Sequence, residues 1–247
     1  MIIHSYENSA RADSCIEYLR TSEIANKKEH VILLPIPTTR DKLTILNTNI
    51  YINSIYELID DETLVCGYGL PLGFVDKVIA LGGCALDLAE DENFLLENGY
   101  FTPLCALGII LNTECRVPSD LKVGIVGYGR IGTRLTELLL YLGADVRVFT
   151  SRMSVRNELC ENGISSSASD EEDFVKDLDI LVNTAPARIF GGADLPSSLR
   201  IIDLASGENF DREIKVERYP SVPAKMFPFS SGRAWGRAIE RFLTNID

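Results

Sequence analysis

"KVGIVGYGRIGTRLTELLLYLGADVRVFTSR", residues 122 to 152, carries three glycines in the order Gly127-Tyr128-Gly129-Arg130-Ile131-Gly132. The apolar run KVGIV precedes them, and a helix-periodic stretch follows that stops at Gly143, ahead of a second β-like run, DVRVF. Strand, glycine turn, helix and second strand in one unit of about 30 residues predict a dinucleotide-binding βαβ element. Gly127 allows the tight turn, Gly129 lets the backbone approach a pyrophosphate, and Gly132 lets helix and strand pack closely. The amides at the helix N-terminus face the phosphates, which brings Tyr128, Arg130 and Ile131 to the cofactor as well.

The second strand ends at Thr150-Ser151-Arg152, where an NAD-specific site usually places an Asp or Glu on the ribose 2′-hydroxyl. Two hydroxyls and a guanidinium suit a 2′-phosphate, so the stretch favours NADP over NAD.

Outward from this unit, short apolar β-branched runs alternate with helical periodicities, the pattern of parallel sheets built from βαβ units. The expected fold is α/β, with two Rossmann-type doubly wound parallel-sheet domains and a cleft between them. The expected divisions are an N-terminal flavodoxin-like substrate domain (1–103), a linking helix (104–118), a nucleotide-binding domain (119–228) and a C-terminal crossover helix (229–247). Pro103 is expected in the first turn of the linking helix, where a missing N–H costs nothing. SSSASDEED (165–173) reads as a solvated turn leading into a helix, and Ser230 and Ser231 as caps of the last helix.

With 36 acidic against 24 basic residues the net charge is −12, which leaves no driving force for nucleic acid. The start of the chain lacks a signal-peptide pattern and no apolar run reaches the length of a membrane span, so the expected location is the cytoplasm. The six cysteines are dispersed and apart from His4 and His30, the only histidines; no metal site is expected.

Ligands in open α/β sheets sit beyond the carboxyl ends of the strands. Asn183, Thr184 and Pro186 follow a strand expected beside the nicotinamide and could orient its amide. Thr38, Thr39 and Arg40 end a strand of the first domain and suit a small carboxylate. Asp203 ends the run RIID and is read as holding a loop beside the cofactor. Dehydrogenases of 2-hydroxy acids need an acid/base group near neutral pH, typically a late histidine, and both histidines here fall in the first 30 residues. No catalytic base is assigned.

Several segments together resemble the dipicolinate synthase A-subunit family of endospore-forming bacteria: VILLPIPTTRD (31–41), the glycine unit, DLDILVNTAPARIF (177–190), RIIDLAS (200–206) and YPSVPAKMFPFSSGRAWGRAI (219–239). The resemblance implies NADP chemistry, oxidation of dihydrodipicolinate or a related small cyclic carboxylate, and partnership with a flavoprotein-like B subunit. It adds Thr102, Ser206 and Ser230 as substrate-side candidates, and a homodimer is compatible with such a scaffold. The chain departs from the family at SYENSA (5–10), where a glycine-rich turn is usual, and at Glu208, where a cation follows DLAS. Two alternatives therefore stay open: a nucleotide-binding subunit without its own catalysis, and a 2-hydroxyacid-type dehydrogenase.

Overall fold

A computed structural model of the chain describes residues 1–168, 175–187, 195–205 and 207–246. The protein divides into two compact units, Met1–Asn98 with Pro223–Asp247, and Gly99–Val222. The expected divisions at 103 and 118 fall inside and just after a single long helix instead.

The first unit is built on four parallel strands in sequence order: β1 (Ile2–Ser5), β2 (His30–Leu33), β3 (Thr63–Gly67) and β4 (Cys84–Asp87). Between them come helix α1 (Ala10–Thr21), a 3-10 turn (Ile52–Leu58) and helix α2 (Phe74–Ala80). Side chains alternate across a strand. Val65 packs with Phe74, Val78, Ile52 and Ile55 on one face. Its neighbour Cys66 meets the indole of Trp235 on the other, in helix α7 (Pro228–Thr244), which packs on α1. Thus α1 and α2 lie on opposite faces although both crossovers advance the same way along the sheet. The two crossovers therefore have opposite hands, and one departs from the right-handed rule that about 98% of such connections obey.

The approach of α7 to α1 depends on two glycines. A Cβ on Gly232 would lie 2.3 Å from the Arg11 carbonyl oxygen, and one on Gly236 2.5 Å from the Tyr18 ring. Arg11, itself buried, grips Glu7 through two bonds of 2.9 and 2.7 Å, donates to the Ile36 carbonyl and stands 5.9 Å from the centre of the Trp235 ring.

The second unit follows the doubly wound order β10-β9-β8-β5-β6-β7, all parallel. Its strands are β5 (Lys122–Val126), β6 (Asp145–Phe149), β7 (Ser165–Ser167), β8 (Ile180–Asn183), β9 (Arg200–Asp203) and β10 (Glu217–Arg218). Helix α4 (Arg130–Tyr141) joins β5 to β6 and α5 (Met153–Glu161) joins β6 to β7, while α6 (Val222–Met226) leads on into α7. β5 is the innermost strand of this half; a Cβ on Gly124 would come within 2.6 to 2.9 Å of Leu178, Leu181 and Phe149. The serines 165–167, expected in a turn, form β7 in register with Arg147–Phe149. Pairing to an existing edge overrides their low strand preference.

Helix α3 (Glu92–Thr113) corrects a second expectation, because it starts twelve residues before the anticipated 104 and holds Pro103 in its interior. The proline removes the bond to the Gly99 carbonyl, at the residue where the two units divide. By length and apolar composition α3 matches a membrane span, but here Thr102, Pro103, Cys105, Ala106 and Ile110 are buried in the protein. In α7 the N-cap is Phe227, without a side-chain cap, and Pro228 opens the helix. Ser230 and Ser231 thus lie inside the first turn, and Ser231 donates to the Pro228 carbonyl at 3.3 Å.

Candidate nucleotide-binding site

β5 ends at Val126 and the chain turns at Gly127, whose φ of 88° is a left-handed value that favours glycine. Its amide donates to the Phe149 carbonyl at 2.8 Å, which pins the turn to β6. Gly132 has no room for a side chain: a Cβ would sit 2.0 Å from the Gly127 carbonyl oxygen. Gly129 differs from both. Its φ of −98° suits any residue and nothing lies within 4 Å of where a Cβ would point. Among the described residues no neighbour requires glycine there, and the space in front of it fits a ligand's close approach. No side chain caps α4, and the amides of its first turn give the helix N-terminus the partial positive charge that attracts an anion. These features fit a dinucleotide pyrophosphate. The Tyr128 phenol is pushed above its ordinary pKa by burial, then by the carboxylates of Glu137 and Glu158, and remains a donor at neutral pH.

Behind the turn, the Thr184 hydroxyl donates to the carbonyls of Val126 at 2.8 Å and Gly127 at 3.4 Å. Asn183 is fully buried, its Nδ2 donating to Asp203 Oδ1 at 2.8 Å and its Oδ1 accepting from the Ala185 amide at 3.1 Å. Asp203 also accepts from the Ala205 amide and from Asn209 Nδ2. Asn183 and Thr184, expected to reach the nicotinamide, thus spend these hydrogen bonds on the protein itself, holding the glycine turn and the two strand ends together. Pro186 is exposed beside them. Asn209 escapes a reading of the sequence because nothing local marks its bond to a strand six residues away.

At the end of β6 the Arg152 guanidinium donates to the Tyr128 carbonyl. Thr150 is buried and Ser151 exposed. Arg156, one helical turn further on, returns its Nη1 to the Thr150 carbonyl at 2.6 Å. Its spacing of four from Arg152 could have signalled it.

The substrate-side candidates are distributed. Thr38 is fully buried, with its hydroxyl accepting from the Tyr68 amide at 2.8 Å. Thr39 donates to Asp41 at 3.0 Å, while Arg40 is exposed. All three belong to the first unit with Ser230, which is also exposed; Thr102 is buried in α3, and Ser206 lies outside the described residues. A cavity of about 700 Å³ lined by Leu195, Pro196, Leu199, Arg200, Glu213 and Lys215 opens at the N-terminal end of β9. That is the opposite end of the sheet from the glycine turn. Among the described residues no group of side chains could hold a metal ion.

The parallel doubly wound sheet and its glycine turn define a dehydrogenase-type nucleotide-binding protein with two α/β units. Residues 112–189 match the family model "D-isomer specific 2-hydroxyacid dehydrogenase, NAD binding domain". More particularly, the chain resembles the dipicolinate synthase A-subunit proteins. It is 29% identical to the one from Bacillus subtilis (strain 168) over 136 residues, 51% of this chain and 46% of the relative; the match spans about half of the curated relative's length. In fold it is similar to the dipicolinate synthase A-subunit structure from Bacillus halodurans, with a TM-score of 0.78 and 20% identity, covering 98% of this chain and 97% of that one. The NAD-complexed D-isomer specific 2-hydroxyacid dehydrogenase from Lactobacillus delbrueckii ssp. bulgaricus is more distant, with a TM-score of 0.54 and 9% identity over 99% of this chain and 96% of that one.

Proposed function

We propose that the chain is an NADP-dependent oxidoreductase of the dipicolinate synthase A-subunit type, acting on dihydrodipicolinate or a related small cyclic carboxylate. The observation that carries this reading is the pairing of an open Gly129 with a β6 end that holds hydroxyls and guanidinium groups and no carboxylate. When bound, the nicotinamide supplies a hydride acceptor. The residues of the chain do the rest. Gly127, Gly129 and Gly132 with the amides of Arg130 and Ile131 hold the pyrophosphate, and Tyr128 flanks it. Thr150, Ser151 and Arg152 take the 2′-phosphate. Asn183, Thr184, Pro186 and Asp203 form the rigid floor on which the nicotinamide end rests. Thr38, Thr39, Arg40, Thr102, Ser206 and Ser230 are the proposed substrate side, with the exposed Arg40 cation as the carboxylate partner.

Forming an aromatic product releases a carbon-bound proton as well as a hydride. The stability of the aromatic ring lets water accept that proton, so the reading needs no late histidine. A homodimeric assembly and a flavoprotein-like B subunit belong to the same proposal. A second reading, a nucleotide-binding subunit without catalysis, is favoured by the negative charge of Glu208 where the family carries a cation.

Calorimetric titration with NADP⁺ and NAD⁺, beside an Arg152→Glu variant, tests the cofactor. Preferential NADP⁺ binding that the variant loses supports the proposal, and absence of binding to either nucleotide overturns it. Tight binding with no turnover of dihydrodipicolinate, a B subunit being supplied, leaves the non-catalytic reading.

A further inference from the structure

We infer that Arg156 is the second guanidinium of a phosphomonoester site at the carboxyl end of β6, and that it sets the preference for a nucleotide phosphorylated on its adenosine ribose. This rests on the reading of the glycine turn as a nucleotide site. Arg156 is half-buried, and its Nη1 donates to the Thr150 carbonyl at 2.6 Å while Nη2 approaches the Met153 sulfur at 3.4 Å. The side chain is thereby folded back over the strand end instead of extending into water. Arg152, next in sequence to Thr150 and Ser151, reaches the Tyr128 carbonyl in the glycine turn. Two guanidinium groups are thus anchored by backbone carbonyls at the glycine turn and at the β6 end, the stretch that would face the adenosine ribose and that also carries Thr150 and Ser151.

Their electrostatic setting differs from that of four other arginines of the unit. Arg116, Arg134, Arg147 and Arg200 each grip a carboxylate. Among the described residues neither Arg152 nor Arg156 makes an ion pair, and no Asp or Glu occurs between Asp145 and Glu158. Two like charges four residues apart, neither in an ion pair among the described residues, repel each other. A dianionic phosphate removes that repulsion, and each planar guanidinium can offer it two parallel N–H bonds. Because the Arg156 rotamer is already fixed by its own backbone bond, little side-chain freedom is lost on binding.

The test is calorimetric titration of the full chain, Arg156→Ala and Arg156→Lys with NADP⁺, NAD⁺, adenosine 2′,5′-bisphosphate and inorganic phosphate, with melting curves to verify folding. Arg156→Ala is expected to weaken NADP⁺ and the bisphosphate by about tenfold to a hundredfold, the size of a charged hydrogen bond, and to leave NAD⁺ unchanged. Arg156→Lys is expected to recover part of the loss. Unchanged NADP⁺ affinity in Arg156→Ala, or equal losses for NADP⁺ and NAD⁺, overturns the inference while the NADP reading stands. An unmodified chain that binds both nucleotides equally overturns the cofactor choice and the inference together. Binding of inorganic phosphate without any gain for NADP⁺ over NAD⁺ overturns the assignment to a nucleotide.

Discussion

Asn183 and Asp203 face each other as register partners on β8 and β9, and the amide of the first donates to the carboxylate of the second at 2.8 Å. Both are buried, so the bond ties two strand ends together directly beneath the glycine turn. Replacing Asp203 by Ala leaves the amide groups of Asn183, Asn209 and Ala205 without this acceptor. A loss of about 2–3 kcal/mol in urea unfolding is expected, with weaker nucleotide binding alongside. Asn209→Ala, which removes the bonds of 3.3 and 3.4 Å to Asp203, is expected to cost about 1 kcal/mol. Equal stability of Asp203→Ala and the parent would show that the strand ends are held by something else.

The three glycines of the turn are separable by experiment. Gly132→Ala forces a methyl group against the Gly127 carbonyl and is expected to lower stability by about 1–3 kcal/mol together with nucleotide affinity. Gly129→Ala meets none of the described residues; its melting temperature should match the parent's while its nucleotide affinity falls. A Gly129→Ala variant that binds normally would mean the ligand does not approach there.

Gly232→Ala places a methyl group 2.3 Å from the Arg11 carbonyl and 2.7 Å from Ser14. The α1 and α7 helices must then separate, and a loss of about 1–3 kcal/mol is expected. Trp235 is the only tryptophan and is fully buried, so its fluorescence reports this interface. The emission of the native protein should be blue-shifted and resist acrylamide quenching, and unfolding should reverse both.

Hydrogen bonds from Arg147 and then Lys122 hold the Asp177 carboxyl well below its usual pKa. A depressed folded-state value means that this stabilisation is complete above about pH 4, the unfolded value, and is lost as the pH falls further. The pairs are half-exposed, which limits the effect to about 0.5–1 kcal/mol. Melting temperatures from pH 6 to 3 should fall less steeply for Asp177→Asn than for the parent.

Apart from the half-buried Cys84, the thiols should divide into two classes. Cys115 and Cys160 are exposed, whereas Cys15, Cys66 and Cys105 are buried. Burial pushes all three buried thiols up, that of Cys105 to about 11, so few thiolates are available to react. Two thiols should react rapidly with Ellman's reagent under native conditions, and labelling of Cys66 without unfolding would contradict the packing around Trp235.

The second unit is readable from the sequence wherever the requirement is local. KVGIV, the glycine turn and DVRVF announce their elements because strand alternation, left-handed turns and helix periodicity act within a few residues. Asn183 is harder: its partner lies 20 positions away, so the same Asn-Thr-x-Pro stretch that suggests a ring-amide contact turns out to brace two strands. The three serines of β7 become a strand only because β6 offers them an edge. In α3, apolar residues on all sides leave no periodic face to mark the start, and Pro103 argues for a break that the helix tolerates. Ser230 and Ser231 look like caps, but Pro228 moves the start of α7 ahead of them.

The docking of α7 on α1 also sets an order of events during synthesis. The first sheet, α1 and β1 to β4 are all translated before residue 99, yet the helix that covers one face of that sheet begins at Pro228. The whole of the second unit must be made in between, on the order of ten seconds of elongation. Through that interval the nascent first unit exposes the α1 groove that Trp235 will fill. Of the two units, the one whose sheet is translated first is thus completed last.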